Sequence, residues 1–434
     1  MQTKPIVLSI SSSDYSVEKG GVNKVLFSHQ IMMNQAGYTY IYVYPVNHLF
    51  KKMQYCWHVM INGEKLKNSY STNDLISFLQ PLDEDIADIF IHHFMRINIG
   101  ELTRIVDLFP FKKIFYYIHD YYALCNQYNL LRNGKTFCGI YGKNEIECRD
   151  CTYYKKWYDR ESIIKFFKEH SNIVAIAPSD SAKELWLRAY PWMYNNIRVI
   201  YHQKLLGAYI NNMQMIEKRK INIAYVGSCT YVKGWDVWKD LVKSLPDQIC
   251  DCYNFWVFGN PKGKYKHMKL VHVNATNDIN AMTDSLRRYN IDVVFLGSLC
   301  PETYAYTYYE SFSSNAYIIA NEQSGNIAKQ VLARNNGIIF NQITEVRDTL
   351  MNFPKFCETL NAFKSSENYG PEILQENDEI LRFLDSNFSD RRNNSCNRDN
   401  IDIELKSCEL SIVSKVLAFL DRTTLGRKIF CKLG

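Results

Sequence analysis

The chain has 434 residues, of which 47% are hydrophobic, and this length exceeds one ordinary core and predicts two or three globular domains. Its net charge of +6 comes from 51 cationic and 45 anionic side chains that are dispersed along the sequence, so nucleic acid is not an expected partner. An anionic substrate or an anionic membrane surface agrees with this mildly basic balance.

The cellular compartment is predicted from the cysteines and from the start of the sequence. Thirteen cysteines, an odd number, are scattered along a chain whose first residues lack the pattern of a secretory signal. This favours the reducing cytoplasm over a secreted disulfide scaffold. No apolar stretch approaches the roughly 20 residues of a spanning helix, so any membrane contact is expected to be peripheral.

The first half of the chain alternates between apolar runs and segments long enough for helices. The run from Ile6 to Ile10 precedes a polar turn with Gly20 and Gly21, and residues 22–35 are predicted to form a helix. Strand, glycine turn and helix make the beginning of a parallel α/β unit, and the alternation predicts a doubly wound sheet. The later apolar runs lie at residues 89–94, 113–118, 173–177 and 197–201.

A second α/β domain is predicted after a polar linker at residues 203–220. Its apolar runs lie at residues 223–226, 255–258, 270–273, 293–296, 318–320 and 337–340. Two such sheets leave a cleft between them, and ligands bind at the carboxyl ends of their strands. The predicted divisions are residues 1–205 with a Cys-rich insertion at about 121–155, residues 206–355, and a C-terminal part at 356–434.

The C-terminal part is predicted to contain a helical return segment, a polar linker at residues 386–400 and an amphipathic helix after residue 401. Apolar side chains recur in this last helix at helical spacing. The helix is expected to pack on the body or on a partner, or to lie on a membrane surface with its cations toward the headgroups.

Two segments of the second domain carry residues suited to an anionic ligand. Lys233 follows Gly227 in a loop between a predicted strand and helix, where a lysine can neutralise a diphosphate. Glu302 and Glu310 are eight residues apart, and a helix starting at Pro301 is predicted to place Glu302 in its first turn. Glu310 would then lie about two turns deeper in the same helix.

Taken in order, these segments resemble the retaining nucleotide-sugar glycosyltransferases of family four. That family has the GT-B fold, in which two Rossmann-like domains face each other across a cleft. The matching elements are Gly20-Gly21, Ile118-His119-Asp120, Ala177-Pro178-Ser179, residues 199–202, Gly227 with Lys233-Gly234, Pro301-Glu302 to Glu310, and Ser324-Gly325-Asn326.

The resemblance implies a role in donor binding for each matching residue of the second domain. Glu310 would bind the ribose hydroxyls, and Glu302 would hold hydroxyls of the donor sugar. The backbone N–H groups of Thr303 and Tyr304 would lie near the diphosphate. Lys233 would carry the charge of the leaving phosphate.

The resemblance also assigns residues of the first domain and the cofactors. Gly20 and Gly21 would let the phosphate approach, with Gly227 on the other side of the cleft, and His119 would face the donor sugar. The nucleoside diphosphate sugar is the implied co-substrate, and no catalytic metal is expected. No side-chain nucleophile is needed, since the departing phosphate takes the proton of the acceptor.

The sequence departs from the family pattern in two places. Ser228 and Cys229 stand where many relatives have an arginine that binds phosphate, and Lys19 or Lys24 is a candidate to replace it. Asn315 stands where a glycine is usual, a mild change because asparagine tolerates the left-handed conformation.

The Cys-rich insertion contains four cysteines, with the last two in a Cys-Arg-Asp-Cys motif. Four thiolates can form a tetrahedral zinc site that stabilises an irregular loop. Free buried thiols and a redox pair are the alternatives, and the aromatic neighbours at residues 153–157 are candidates to shape the acceptor side. The predicted ligands are Cys125, Cys138, Cys148 and Cys151.

Several histidines have a second interpretation. Without the resemblance, His119 is predicted to be a hydrogen-bonded interior histidine. His92 and His93 follow another strand and either line the cleft or are structural. His202 is expected to mark the hinge between the domains.

The function implied by the resemblance is transfer of a sugar from a nucleoside diphosphate to a hydroxyl of a glycan or polyprenyl-linked acceptor. Relatives in bacterial surface polysaccharide biosynthesis suggest work on the inner face of the plasma membrane. The alternatives are a sugar-nucleotide epimerase on the same fold and a non-catalytic glycan-binding or scaffold protein, for which Ser228 is the main argument.

Overall fold

The computed structural model describes residues 4–18, 20–46, 55–139, 148–154, 159–208, 220–263, 265–273, 278–366, 369 and 372–384. Lys19 and the predicted C-terminal linker and helix lie outside these residues. Within this described part of the chain, no helix is long and apolar enough to cross a membrane.

The first half of the chain forms an eight-stranded sheet in the order β10-β9-β6-β5-β1-β2-β3-β4. Its pairs are parallel from β10 to β2, as predicted, whereas β3 and β4 form an antiparallel hairpin at the edge. The strands of this half, including a short separate pair β7 and β8, are β1 (Ile6–Ile10), β2 (Thr39–Pro45), β3 (Cys56–Ile61), β4 (Glu64–Ser71), β5 (Ile86–Ile91), β6 (Lys113–Tyr117), β7 (Leu131–Arg132), β8 (Thr136–Phe137), β9 (Ile173–Ala177) and β10 (Ile197–Val199).

Helices cover both faces of this sheet, so the central strands β1 and β5 are buried along their whole length. Leu8 and Ile89 face a core that includes Leu102 and Phe166. The adjacent residue of β1, Val7, faces the core on the opposite side of the sheet, together with Leu26 of the first helix. The helices are α1 (Gly21–Gln35), α2 (Thr72–Leu79), α3 (Ile99–Val106), α4 (Arg160–Glu169) and α5 (Asp180–Ala189).

The second half forms a six-stranded parallel sheet in the order β14-β13-β12-β15-β16-β17, in agreement with the predicted second α/β unit. Between the two sheets lies β11 (Gln203–Ala208). The strands of the sheet are β12 (Ile221–Val226), β13 (Tyr253–Phe258), β14 (Met268–Val271), β15 (Val293–Leu296), β16 (Tyr317–Asn321) and β17 (Gly337–Phe340). The helices are α6 (Trp235–Ser244), α7 (Asp247–Cys250), α8 (Ala281–Arg288), α9 (Tyr306–Ser313), α10 (Asn326–Arg334), α11 (Ile343–Met351) and α12 (Phe353–Lys364).

A two-stranded antiparallel ribbon forms where the sequence predicted a polar linker. It pairs β11 with β18 (Glu372–Glu376), and Leu205 lies opposite Leu374. After the ribbon, Asn377 donates a hydrogen bond to the carbonyl of Tyr201 at 2.7 Å. The chain then returns to the first half, where Ile380 packs into its core. Two chain segments therefore connect the two halves.

Candidate functional site

The carboxyl ends of the two sheets meet at a loop of the second half. Thr303 Oγ1 in this loop donates a hydrogen bond to the carbonyl of His119 at 2.6 Å. Ser179 Oγ, after β9, donates to the carbonyl of Thr303 at 2.7 Å. These two bonds close one end of the cleft and place the loop that contains Glu302 against the first half.

Lys233 and Glu302 form an ion pair in this region, with 2.5 Å between Lys233 Nζ and Glu302 Oε1. Ser298 Oγ donates to the same carboxylate oxygen at 2.6 Å. Burial favours the neutral amine of Lys233, but the Glu302 carboxylate outweighs this effect, and the pKa of Lys233 is raised. The lysine therefore stays charged at neutral pH, as binding of an anion requires.

The position of Lys233 depends on Gly234, which directly precedes α6 and has a φ of +75°. A Cβ atom at Gly234 would lie 2.0 Å from the carbonyl oxygen of Gly297, at the end of β15. The neighbouring Leu299 N–H donates to the carbonyl of Val232 at 2.8 Å. The loop of Lys233 thus packs directly against the backbone that leads to Glu302, and only a glycine permits this approach.

Replacement of Gly234 by alanine is expected to destabilise the second half by more than about 1 kcal/mol, because both the left-handed φ and the contact with Gly297 must change. Denaturant unfolding of Gly234→Ala measures this loss. Gly20→Ala is the matched control, since Gly20 has an extended φ of 169° and no atom within 4 Å of its Cβ position. An equal loss in both variants would contradict the proposed close approach.

Glu302 does not lie in a helix, and the predicted helix start at Pro301 is wrong. Its backbone instead bridges to Gly325: Glu302 N donates to the carbonyl of Ser324 at 3.2 Å, and Asn326 N donates to the carbonyl of Glu302 at 3.0 Å. These bonds replace those of a helical turn, and α9 begins only at Tyr306. Glu302 is therefore fixed by the loop before α10.

Glu310 lies inside α9 and is only 5% exposed. Its Oε1 is 3.7 Å from Nζ of Lys24, which belongs to α1 of the first half. Burial raises the pKa of Glu310, and Lys24 partly offsets this rise. The ammonium group of Lys24 also lies 4.3 Å from the centroid of the Tyr306 ring. An ion pair thus crosses the cleft at Glu310.

The glycine turn of the first half faces the start of α9. A Cβ atom at Gly21 would lie 4.0 Å from the Tyr306 ring, and one at Gly227 would lie 3.6 Å from Thr307. Gly227 itself has a φ of +123°. The glycines predicted on opposite sides of the cleft therefore approach the same turn of α9.

His119 is partly buried, and its side chain lies among other aromatic rings of the first half. Its Nε2 lies 2.9 Å from Nδ1 of His92, and its ring stacks on that of His202 with centroids 5.6 Å apart. Burial, followed by the neighbouring histidines, holds the pKa of His119 well below its ordinary value. The role of His119 at the donor sugar stays a prediction, and the contact that it makes with the loop of Glu302 is through its carbonyl.

The remaining residues named from the sequence have structural partners. His93 Nε2 lies 2.9 Å from a carboxylate oxygen of Asp120. The Tyr304 hydroxyl donates to Gln203 at 3.3 Å, and its ring stacks on Tyr309 with centroids 4.5 Å apart. Tyr304 thus anchors the loop to the ribbon.

Ser298 and the Lys24–Glu310 contact were not predicted, because no spacing in the sequence relates these partners.

The zinc site predicted in the Cys-rich insertion stays a prediction. Among the described residues, which include all four cysteines, no group of three His, Cys, Asp or Glu side chains is arranged to hold a metal. The Cys138 thiol donates to the carbonyl of Leu130 at 3.0 Å, as a protonated thiol does. Burial raises the pKa of Cys138 to about 12, with smaller contributions from Cys125, Cys148 and Cys151.

Comparison with known proteins finds solved structures with a similar fold. No family model matches the sequence, and no curated protein sequence matches it either. Sucrose-phosphate synthase from Thermosynechococcus elongatus superposes with a TM-score of 0.53 at 12% identity, over 88% of this chain and 95% of that one. A mutant of S. aureus TarM in complex with fondaparinux, α-GlcNAc-glycerol and UDP gives 0.50 at 10% identity, over 84% and 95%. The two facing parallel sheets of this chain thus have the GT-B fold.

Proposed function

We propose that this chain is a retaining glycosyltransferase that uses a nucleoside diphosphate sugar as its donor. The observation that carries this proposal is the convergence of Lys233, Glu302 and Glu310 at the carboxyl ends of the second sheet, opposite the Gly20-Gly21 turn. The TarM structure contains UDP together with a glycosylated glycerol, and a donor of this class supplies the anion that such a site requires.

Each carboxylate has a separate task in this proposal. Glu310, inside the cleft and ionised beside Lys24, accepts hydrogen bonds from the ribose hydroxyls. Glu302, fixed by Gly325 and Ser298, holds hydroxyls of the sugar. The N–H groups of Thr303 and Tyr304 face the diphosphate. His119 is a positioning residue, because it holds this loop through its carbonyl.

The reaction breaks the bond between the anomeric carbon and the diphosphate oxygen and forms a bond from that carbon to the acceptor oxygen. Negative charge grows on the departing phosphate, and Lys233 stabilises it. The acceptor proton moves to a phosphate oxygen on the same face of the sugar, which retains the anomeric configuration. No resident metal is part of this scheme.

The acceptor is proposed to be a hydroxyl of a glycan or of a polyprenyl-linked saccharide, as in the assembly of bacterial surface polysaccharides. The formal charge of +6 agrees with work at the anionic inner surface of the plasma membrane. The exposed side chains of Tyr153 and Tyr154, 38% and 55% accessible, are candidates to contact the acceptor.

A donor panel tests the proposed function. The purified protein is incubated with UDP-, GDP- and ADP-sugars, and the products are separated and their anomeric configuration assigned. Release or transfer of the sugar supports a transferase, whereas an epimerised donor supports an epimerase. Saturable glycan binding with every donor left intact would contradict the proposal and support a binding protein.

Glu310→Gln is expected to weaken nucleotide binding by about 10- to 100-fold, because the charged acceptor of the ribose hydroxyls becomes neutral. Calorimetric titration with the nucleoside diphosphate measures the change. The raised pKa of Glu310 adds a pH signature: affinity of the wild type falls as pH decreases and the carboxylate protonates, and the variant lacks this decrease. Glu322→Gln, at an exposed position of the same half, is the control. Equal affinities in all three proteins would exclude Glu310 from the site.

A further inference from the structure

Lys24 brings a cation of the first half into the proposed donor site. Its N–H donates to the carbonyl of Gly20 at 3.0 Å, so it lies in the first turn of α1, directly after the glycine turn. Its side chain is 28% exposed and reaches across the cleft to Glu310, at 3.7 Å. The ammonium group also lies over the ring of Tyr306, where a cation is attracted by the ring electrons.

The described residues of the candidate site that belong to the second half supply too little positive charge for a diphosphate. At the loop after β12, Ser228 carries no charge, and burial raises the pKa of the Cys229 thiol to about 11, which keeps it neutral. Lys233 is paired with Glu302. The charges of Lys233, Glu302 and Glu310 therefore sum to −1, a sum that repels an anionic ligand.

Lys24 removes this excess negative charge, because its own positive charge brings the sum for the four residues to zero before the ligand binds. The position also suits the connectivity of a nucleotide. The phosphate adjacent to the ribose follows the sugar that Glu310 would hold, and a lysine side chain is flexible enough to turn from Glu310 to that phosphate. Ribose hydroxyls can replace Lys24 as the partner of the carboxylate.

We infer that Lys24 binds the diphosphate of the donor from the domain opposite Lys233, in place of a cation at the loop after β12. This inference rests on the proposed function. One diphosphate then contacts both halves of the chain, Lys24 on α1 and Lys233 before α6. Donor binding thereby draws the two halves together through charge.

The test compares nucleoside diphosphates with nucleosides, so that only the contribution of the phosphates is measured. Dissociation constants for UDP, GDP and ADP, and for uridine, guanosine and adenosine, are determined by calorimetry for the wild type, Lys24→Ala and Lys24→Arg. Lys329→Ala is the matched control, because Lys329 on α10 also pairs across the two halves, with Glu184 on α5.

Lys24→Ala is expected to reduce the preference for the diphosphate over its nucleoside by about 10- to 100-fold. Its affinity for the diphosphate should also depend less on salt than that of the wild type. Lys24→Arg should keep most of the preference, and Lys329→Ala should keep all of it. The nucleoside affinity shows that each variant is folded.

Two results would overturn the inference while the proposed function stands. If Lys24→Ala weakens nucleoside and diphosphate by the same factor, Lys24 acts only by holding Glu310. If the diphosphate affinity is unchanged, Lys24 does not contact the phosphates. A wild type that binds no nucleotide of the panel would instead overturn the proposed function, and this inference with it.

Discussion

Lys233→Ala is expected to lower kcat for sugar transfer by about 10²- to 10³-fold, the usual effect of removing a group that stabilises charge in the transition state. Donor affinity should change much less, because the diphosphate carries more charge on the departing oxygen in the transition state than in the bound donor. Single-turnover kinetics, with the donor concentration varied, separate these two effects.

The matched control for this variant is Lys239→Ala. Lys239 lies on α6, the helix that follows Lys233, and pairs with Asp236 at 2.6 Å, so its loss removes an equal charge close to Lys233 in the sequence. Its kcat should equal that of the wild type. If Lys233→Ala raises KM at unchanged kcat, Lys233 binds the donor without assisting departure of the phosphate, and the assigned role is wrong.

The strands near the site could be predicted because parallel strands are buried on both faces and read as continuous apolar runs. Val293–Leu296 and Ile173–Ala177, for example, have the bounds predicted from the sequence. The hairpin of β3 and β4 could not be predicted in this way, because Glu64–Ser71 is a polar edge strand whose first five positions are partly or fully exposed. The pairing of β11 with β18 joins segments about 170 residues apart, and nothing local indicates it.

The order of the motifs indicated which segments meet at the cleft, but it did not indicate how their side chains are oriented. The helix predicted from Pro301 does not form there because the backbone of Glu302 bonds to residues 324–326, a tertiary contact that outweighs local preference. The ring of His119 stacks against those of His92 and His202. Both outcomes depend on partners that are distant in the sequence.

The second large effect is expected from four histidines at the junction of the two halves, of which His29 and His92 are buried and His119 and His202 are partly exposed. Burial lowers the pKa of both His29 and His202 to about 3. The pKa values of His92 and His119 are also well below the ordinary value, first because of burial and then because of neighbouring histidines. In the folded chain His29 and His202 are therefore neutral at pH 5.

The sign of the pH dependence follows from proton uptake on unfolding. The unfolded chain protonates its histidines below about pH 6.5, whereas the folded chain does not, so unfolding takes up protons and stability falls as pH decreases. At pH 5 the loss is about 2 kcal/mol for each such histidine. His29 and His202 alone thus account for about 4 kcal/mol, a large part of the roughly 5–15 kcal/mol of an ordinary domain.

The other described groups with shifted pKa values do not mask this fall in stability between pH 7 and pH 5. The lowered pKa of Asp14 affects stability only near and below its ordinary value of 3.8. Glu310 acts in the opposite direction, because its raised pKa lets the folded chain bind a proton first, but it is a single group. The free energy of unfolding, measured in denaturant at pH 7.5, 6 and 5, should therefore decrease steadily.

His29→Phe isolates one of these rings and keeps its edge contact with Phe90, at 5.7 Å between centroids. Below pH 6 the variant should lose about 1.4 kcal/mol less stability per pH unit than the wild type, because one proton fewer is taken up on unfolding. His272→Gln, at an exposed position beside Asn260, should leave the slope unchanged. Equal slopes in all three proteins would mean that His29 protonates in the folded chain, which would contradict its lowered pKa.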